Sequence, residues 1–144
     1  MPGTVWVIAA VWREQLLEAT YEAVALGREL ADALNAKLEV VLLGSGLKKL
    51  LDGLGKADTA VCVEHAGLAD PIPEAHAHIL AQLAKANQPR AILIPLTHVT
   101  WEIGSLVAGE LGVPYVNSCR DVSAVEDVLE ARTMLYGGKM EAIS

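Results

Sequence analysis

The sequence predicts an α/β fold, a doubly wound and mainly parallel sheet with short extra strands toward the C-terminus. Three observations lead there. Apolar, β-rich runs alternate with segments of helical period along most of the chain. The apolar residues are nearly all aliphatic: of 144 residues 53% are hydrophobic, yet only 4% are aromatic and Phe is absent. The strand runs are also continuously apolar rather than alternating, which suits strands covered by helices on both faces. A chain of this length falls in the usual range for one domain and buries about 70% of its unfolded surface. One domain over residues 1–144 is therefore expected.

The elements follow in order. Val5 to Ala10 reads as a first strand, and Leu16, Ala19, Ala23, Leu26, Leu30, Ala33 and Leu34 then recur at helical spacing. Leu38 to Leu43 is a second strand, cut off by Gly44-Ser45-Gly46; Leu47, Leu50, Leu51 and Leu54 mark a short helix ending near Gly53 or Gly55. Thr59 to Val63 makes a third buried strand. Pro71 to Asn87 is a helix with Ile72, Ala75, Ile79, Leu80 and Leu83 as its inner stripe, and Pro89 ends the connection. Ala91 to Pro95 is the fourth strand. Ile103, Leu106, Val107 and Leu111 mark a fourth helix that stops at Gly112, before Pro114. Repeated strand-then-helix units imply right-handed crossovers and a parallel sheet. After Pro114 the pattern changes: Tyr115-Val116, Asp121 to Glu126 and Leu129 to Leu135 read as short strands joined by turns that add to or flank the sheet. No linker or low-complexity tract marks a second domain.

Composition excludes several function classes. A net charge of −7 argues against affinity built on neutralising nucleic-acid phosphates. The two cysteines, Cys62 and Cys119, form neither a disulfide framework nor a zinc knuckle, so a cytoplasmic location is expected. The apolar run Val5 to Val11 is short, has no basic flank in front and is followed by Trp12-Arg13-Glu14, so it is read as a strand rather than a leader. No stretch approaches the length of a membrane span.

In open α/β sheets ligands lie beyond the carboxyl ends of the strands, which singles out Ala9 to Trp12, Gly44 to Gly46, His65 to Gly67 and Thr97 to Glu102. The first loop lacks the glycines that let a pyrophosphate approach the backbone, so ordinary dinucleotide binding is not expected. Gly44-Ser45-Gly46, followed by Lys48 and Lys49, has two readings: a cradle of backbone N–H groups for an anion, or a tight turn with solvated lysines. Thr97 and Thr100 supply capping hydroxyls, whereas Glu102 in the first helical turn would repel a phosphate placed there. The residues that an adenine nucleotide would use on this reading are Ala9, Gly44, Ser45, Gly46, Thr97 and Thr100.

Other chemistry-bearing residues carry double readings. His98 and Glu102 have a spacing that a metal site can use, but a capping or surface role for both is the favoured reading and no metal is expected. His76 and His78 lie about 200° apart on a helix and cannot act together; they read as surface or partly buried. Cys62, between Val61 and Val63, reads as a small core hydrophobe, and Cys119 lies in the turn-like Asn117-Ser118-Cys119 stretch. Trp6, Trp12 and Trp101 form either an aromatic wall for a planar ligand or a seal at a sheet edge or subunit interface. No catalytic constellation is visible, so a non-enzymatic role is expected.

Val5-Trp6-Val7-Ile8-Ala9, Gly27-Arg28-Glu29-Leu30-Ala31, Val40-Val41-Leu42-Leu43-Gly44-Ser45-Gly46, Gly112-Val113-Pro114 and the closing Arg132-Thr133-Met134-Leu135-Tyr136-Gly137-Gly138-Lys139 together resemble the N-terminal domain of the electron transfer flavoprotein alpha subunit. The resemblance covers nearly the whole chain, and its closing Arg-x-x-x-Tyr-Gly-Gly element is the most specific part. It implies a Rossmann-like, adenine nucleotide alpha hydrolase-like fold and a non-catalytic role in flavin-mediated electron transfer. It further implies association with an electron transfer flavoprotein beta-like or flavin-binding partner, or a homodimer. In that family the alpha subunit holds FAD chiefly in a C-terminal domain. The resemblance thus implies that this domain is absent here, and that FAD belongs to the assembled complex or the missing domain rather than to this chain alone. A Gly-basic-acidic triplet usual in the family stands here as Thr100-Trp101-Glu102, so only the acidic member survives. AMP in the family is associated with the beta-subunit domain, which leaves an adenine nucleotide admissible here. A stand-alone AMP- or ATP-binding module of stress-protein type is the alternative.

Overall fold

The apolar runs of the sequence become the strands of one sheet. The structure is a computed structural model that describes residues 3–13, 15–68, 72–95, 97, 100, 102–112, 115–125, 128–133 and 140–143, with the backbone alone at 52, 53, 66 and from 115 onward. Its strands are β1 (Thr4–Ile8), β2 (Val11–Trp12), β3 (Gln15–Leu16), β4 (Lys37–Gly44), β5 (Thr59–Glu64), β6 (Ala91–Pro95), β7 (Tyr115–Val125), β8 (Val128–Thr133) and β9 (Met140–Ile143). The α-helices are α1 (Glu18–Leu34), α2 (Pro73–Asn87) and α3 (Ile103–Leu111), and Lys48–Leu54 and Ala66–Leu68 form 3-10 turns. Seven of the strands make one sheet in the order β5-β4-β1-β6-β9-β7-β8. Its first four are parallel, with β1 between β4 and β6. The chain therefore winds outward from β1 in one direction and returns to its other side at β6, which is the doubly wound arrangement expected.

Successive strand residues face opposite sides, and this sorts the core into two layers. Val5, Val7, Val40, Leu42 and Leu93 pack against the α1 residues Ala23, Val24, Leu30, Ala31 and Leu34. Trp6, Ile8, Val41, Leu43, Ile92 and Ile94 pack against Ala77, Leu80 and Ala84 of α2 and Ile103 and Val107 of α3. Both faces are buried, which explains the unbroken apolar runs. The helices stop on left-handed residues: Asn35 at φ 56°, Gln88 at φ 49° and Gly112 at φ 67°. Only the last is a glycine, so the first two stops carry no glycine signal in the sequence.

Several expectations are corrected. Leu16 lies not on the first helix but in the hairpin made by β2 and β3, where Val11 faces Leu16 and Trp12 faces Gln15. The Leu47-to-Leu54 segment is a 3-10 turn, too short for a full α-helical core stripe. On α2 the buried stripe is His76, Ala77, Leu80, Ala81 and Ala84; Ile72 is 51% exposed and Ala75 is exposed. Small alanines let this helix lie close to the sheet, while Ile79 and Leu83 only flank the contact. The strand β5 is not buried but lies at the sheet edge, and Cys62 on it is exposed. The tail does join the sheet, antiparallel beside β6, but β7 runs unbroken through the turn-like Asn117-Ser118-Cys119. Register shifts between Val116 and Cys119 and between Cys119 and Asp121 absorb that irregularity as bulges.

One surface network ties α1 to the sheet. The Arg28 guanidinium donates to Asp32 Oδ1 at 2.9 Å, Asp58 Oδ2 at 3.1 Å and the Lys56 carbonyl at 3.1 Å. Asp58 Oδ2 also accepts the Leu38 N–H at 2.8 Å. That backbone hydrogen bond, followed by the bond from Arg28, holds the Asp58 carboxyl below its ordinary value of 3.8. A lowered folded-state pKa means the contribution is complete above the unfolded value and disappears as pH falls through the folded one. Denaturation midpoints of the wild type and Asp58→Asn should therefore differ at neutral pH and converge below about pH 4; a constant gap down to the acid limit would contradict this reading.

Candidate functional site

The carboxyl ends of β1 and β4 and the starts of α2 and α3 meet over a narrow crevice lined by Ala9, Leu43, His76, Leu80, Thr100 and Ile103, among others. Of the residues selected from sequence, Ala9 and Thr100 line it. As shaped by the described residues it is about 10 Å³, room for about one water molecule. His76 is the lining residue that sequence reasoning missed: it is 8% exposed, and its Nε2–H donates to the Leu68 carbonyl at 3.2 Å. Its only sequence signal is its place on the sheet-facing side of α2. His78, pointing the other way, reaches Glu110 of α3 at 3.0 Å.

Several polar groups at this edge are hydrogen-bonded within the fold. Ala9 N–H donates to the Val41 carbonyl at 2.9 Å, and Ala10 N–H donates to Thr20 Oγ1 at 2.9 Å. The Ala10 carbonyl accepts the Leu17 N–H at 2.8 Å. Thr20 is completely buried, so its hydroxyl stands in for a turn the backbone does not make. Thr100, 2% exposed, donates to the Pro95 carbonyl, while its Oγ1 receives the Thr97 N–H at 3.0 Å and lies 2.8 Å from Thr97 Oγ1. The two threonines thus brace the turn from β6 into α3.

The Gly44-Ser45-Gly46 loop has the backbone that glycine permits, with φ 154° at Gly44 and 66° at Gly46. Gly44 is buried, and its carbonyl accepts the His65 N–H at 2.9 Å. The next amide, Leu47 N–H, donates to Glu64 Oε1 at 2.9 Å. A carboxylate of the chain itself therefore sits where the cradle reading would put an anion. Lys48 and Lys49 are exposed on the following turn. Burial, followed by the charge of Glu64, pushes the Cys62 thiol above its ordinary value, so it is a poor nucleophile at neutral pH.

Of the three tryptophans, Trp6 does not face this edge. Trp6 is 1% exposed inside the α2–α3 layer, its Nε1–H donating to Glu39 Oε1 at 2.9 Å. Trp12 is half-buried on the hairpin, with the Arg13 guanidinium 5.2 Å from its ring centre. Trp101 and His98 lie outside the described residues, as does most of the Tyr-Gly-Gly element. Glu102 is the residue that precedes α3. Among the described residues no group of three or more His, Cys, Asp or Glu side chains is placed to hold a metal ion, and no helix is long and apolar enough to cross a membrane. A second depression, of about 320 Å³, lies on the α1 side between Tyr21, Val24, Gly55 and Lys56.

Comparison with known proteins agrees with this fold. The Electron transfer flavoprotein domain family matches residues 5–144. Over 141 residues the chain is 27% identical to Protein FixB of Clostridium saccharobutylicum, covering 96% of this chain and 42% of that protein. It is 25% identical over 142 residues to the Electron transfer flavoprotein subunit alpha of Clostridium acetobutylicum, again covering 96% of this chain and 42% of the relative. It is 27% identical over 117 residues to the Acryloyl-CoA reductase electron transfer subunit beta of Anaerotignum propionicum, covering 80% of this chain and 32% of that one. The chain thus spans less than half the length of these relatives. A match that begins on β1 and runs through the antiparallel tail takes in every element described above, and the chain belongs to the electron transfer flavoprotein domain family.

Proposed function

We propose that this chain acts as an N-terminal-type domain of an electron transfer flavoprotein alpha subunit: a non-catalytic, cytoplasmic component that supports flavin-mediated electron transfer by associating with a beta-type or flavin-binding partner. The observation that carries the reading is the family match over residues 5–144, which takes in every strand and helix of the fold. Relatives named as an electron transfer flavoprotein alpha subunit and as an electron transfer subunit of a reductase support it. On this reading residues 1–144 form one domain, and FAD is held by the assembled complex, through the further length that the relatives carry or through a separate chain. The net charge of −7 makes nucleic acid an unsuitable partner.

The test is co-purification with a beta-type subunit and a flavin-binding alpha C-terminal domain, with flavin absorbance as readout. The chain alone should be colourless, and the assembled complex should carry flavin and be reduced by an electron-donating dehydrogenase. A chain that binds flavin stoichiometrically by itself, or never enters the complex, overturns the reading.

A second reading is favoured by the clustering of Ala9, Gly44, Ser45, Gly46, Thr97 and Thr100 on loops at the carboxyl edge of the sheet. There the chain binds AMP or ATP as a nucleotide module. Calorimetry decides: saturable heat that Thr97→Val abolishes supports it, and no heat with either nucleotide removes it.

A further inference from the structure

We draw no further inference here: the strongest candidate, the depression of about 320 Å³ between α1 and the segment after the Lys48–Leu54 turn, lined by Tyr21, Val24, Gly55 and Lys56, carries none because nothing in the structure shows what covers it.

Discussion

Replacing Trp6 by alanine should lower the unfolding free energy by ~3–5 kcal/mol, the range for deleting a large buried aromatic. Trp6 is among the largest fully buried side chains and lies in the layer shared by β1, β4, β6, α2 and α3, so the cavity would open in the middle of the sheet rather than at a rim that can collapse. Its hydrogen bond to Glu39 contributes little to that total, because Glu39 is half-exposed and its carboxylate regains water. Trp6→Phe separates the two effects: it keeps most of the volume, loses the Nε1–H, and should cost ~1 kcal/mol. Thermal and chemical denaturation of the three proteins provides the check, and a Trp6→Ala loss no larger than that of Trp6→Phe would show that packing around the indole is not what stabilises this layer.

The second large effect is expected on the opposite face. Helix α1 packs tightly on the sheet at Gly27, where an added Cβ would lie 2.7 Å from Val7 Cγ2 and 3.0 Å from Leu38 Cδ1. Alanine there gains up to ~1 kcal/mol of helix propensity but meets both contacts. Valine adds two further methyl groups and has little rotamer choice on a helix, so Gly27→Val should destabilise by about 3 kcal/mol through overpacking. Denaturant midpoints measure this. A midpoint within error of wild type would mean that α1 can shift outward freely, contrary to its seven buried contact residues.

These two sites show how far pattern reading reaches. Trp6 lies within a run, Val5 to Ala10, whose strand assignment follows from continuous apolarity, yet nothing local tells whether its indole faces a ligand or a helix. The covering of that face by Ala77, Leu80 and Val107 does. His76 is a similar case: its side of α2 is the one local sign of burial, and its partner, the Leu68 carbonyl, is supplied only by the fold. The hairpin of β2 and β3 was hidden because Leu16 continues a helical spacing by coincidence, and two-residue strands are too short to show a period.

The sequence by itself determined the alternation of strands and helices, the aliphatic two-layer core and the stop at Gly112, because each depends on neighbours a few residues away. Its family membership was legible in the same way, through short runs kept in order along the chain. Only the tertiary structure decided which polar groups at the sheet edge are already spoken for: Glu64, seventeen residues from Leu47, takes the amide of the glycine loop, and Thr20 takes that of Ala10. It also decided that β5 is an edge and Cys62 an exposed residue. The physical reason is the same in both cases. Periodicity states which residues share a face, whereas the neighbour that covers a face or fills a hydrogen bond is chosen by strand order, and strand order joins segments far apart in the chain.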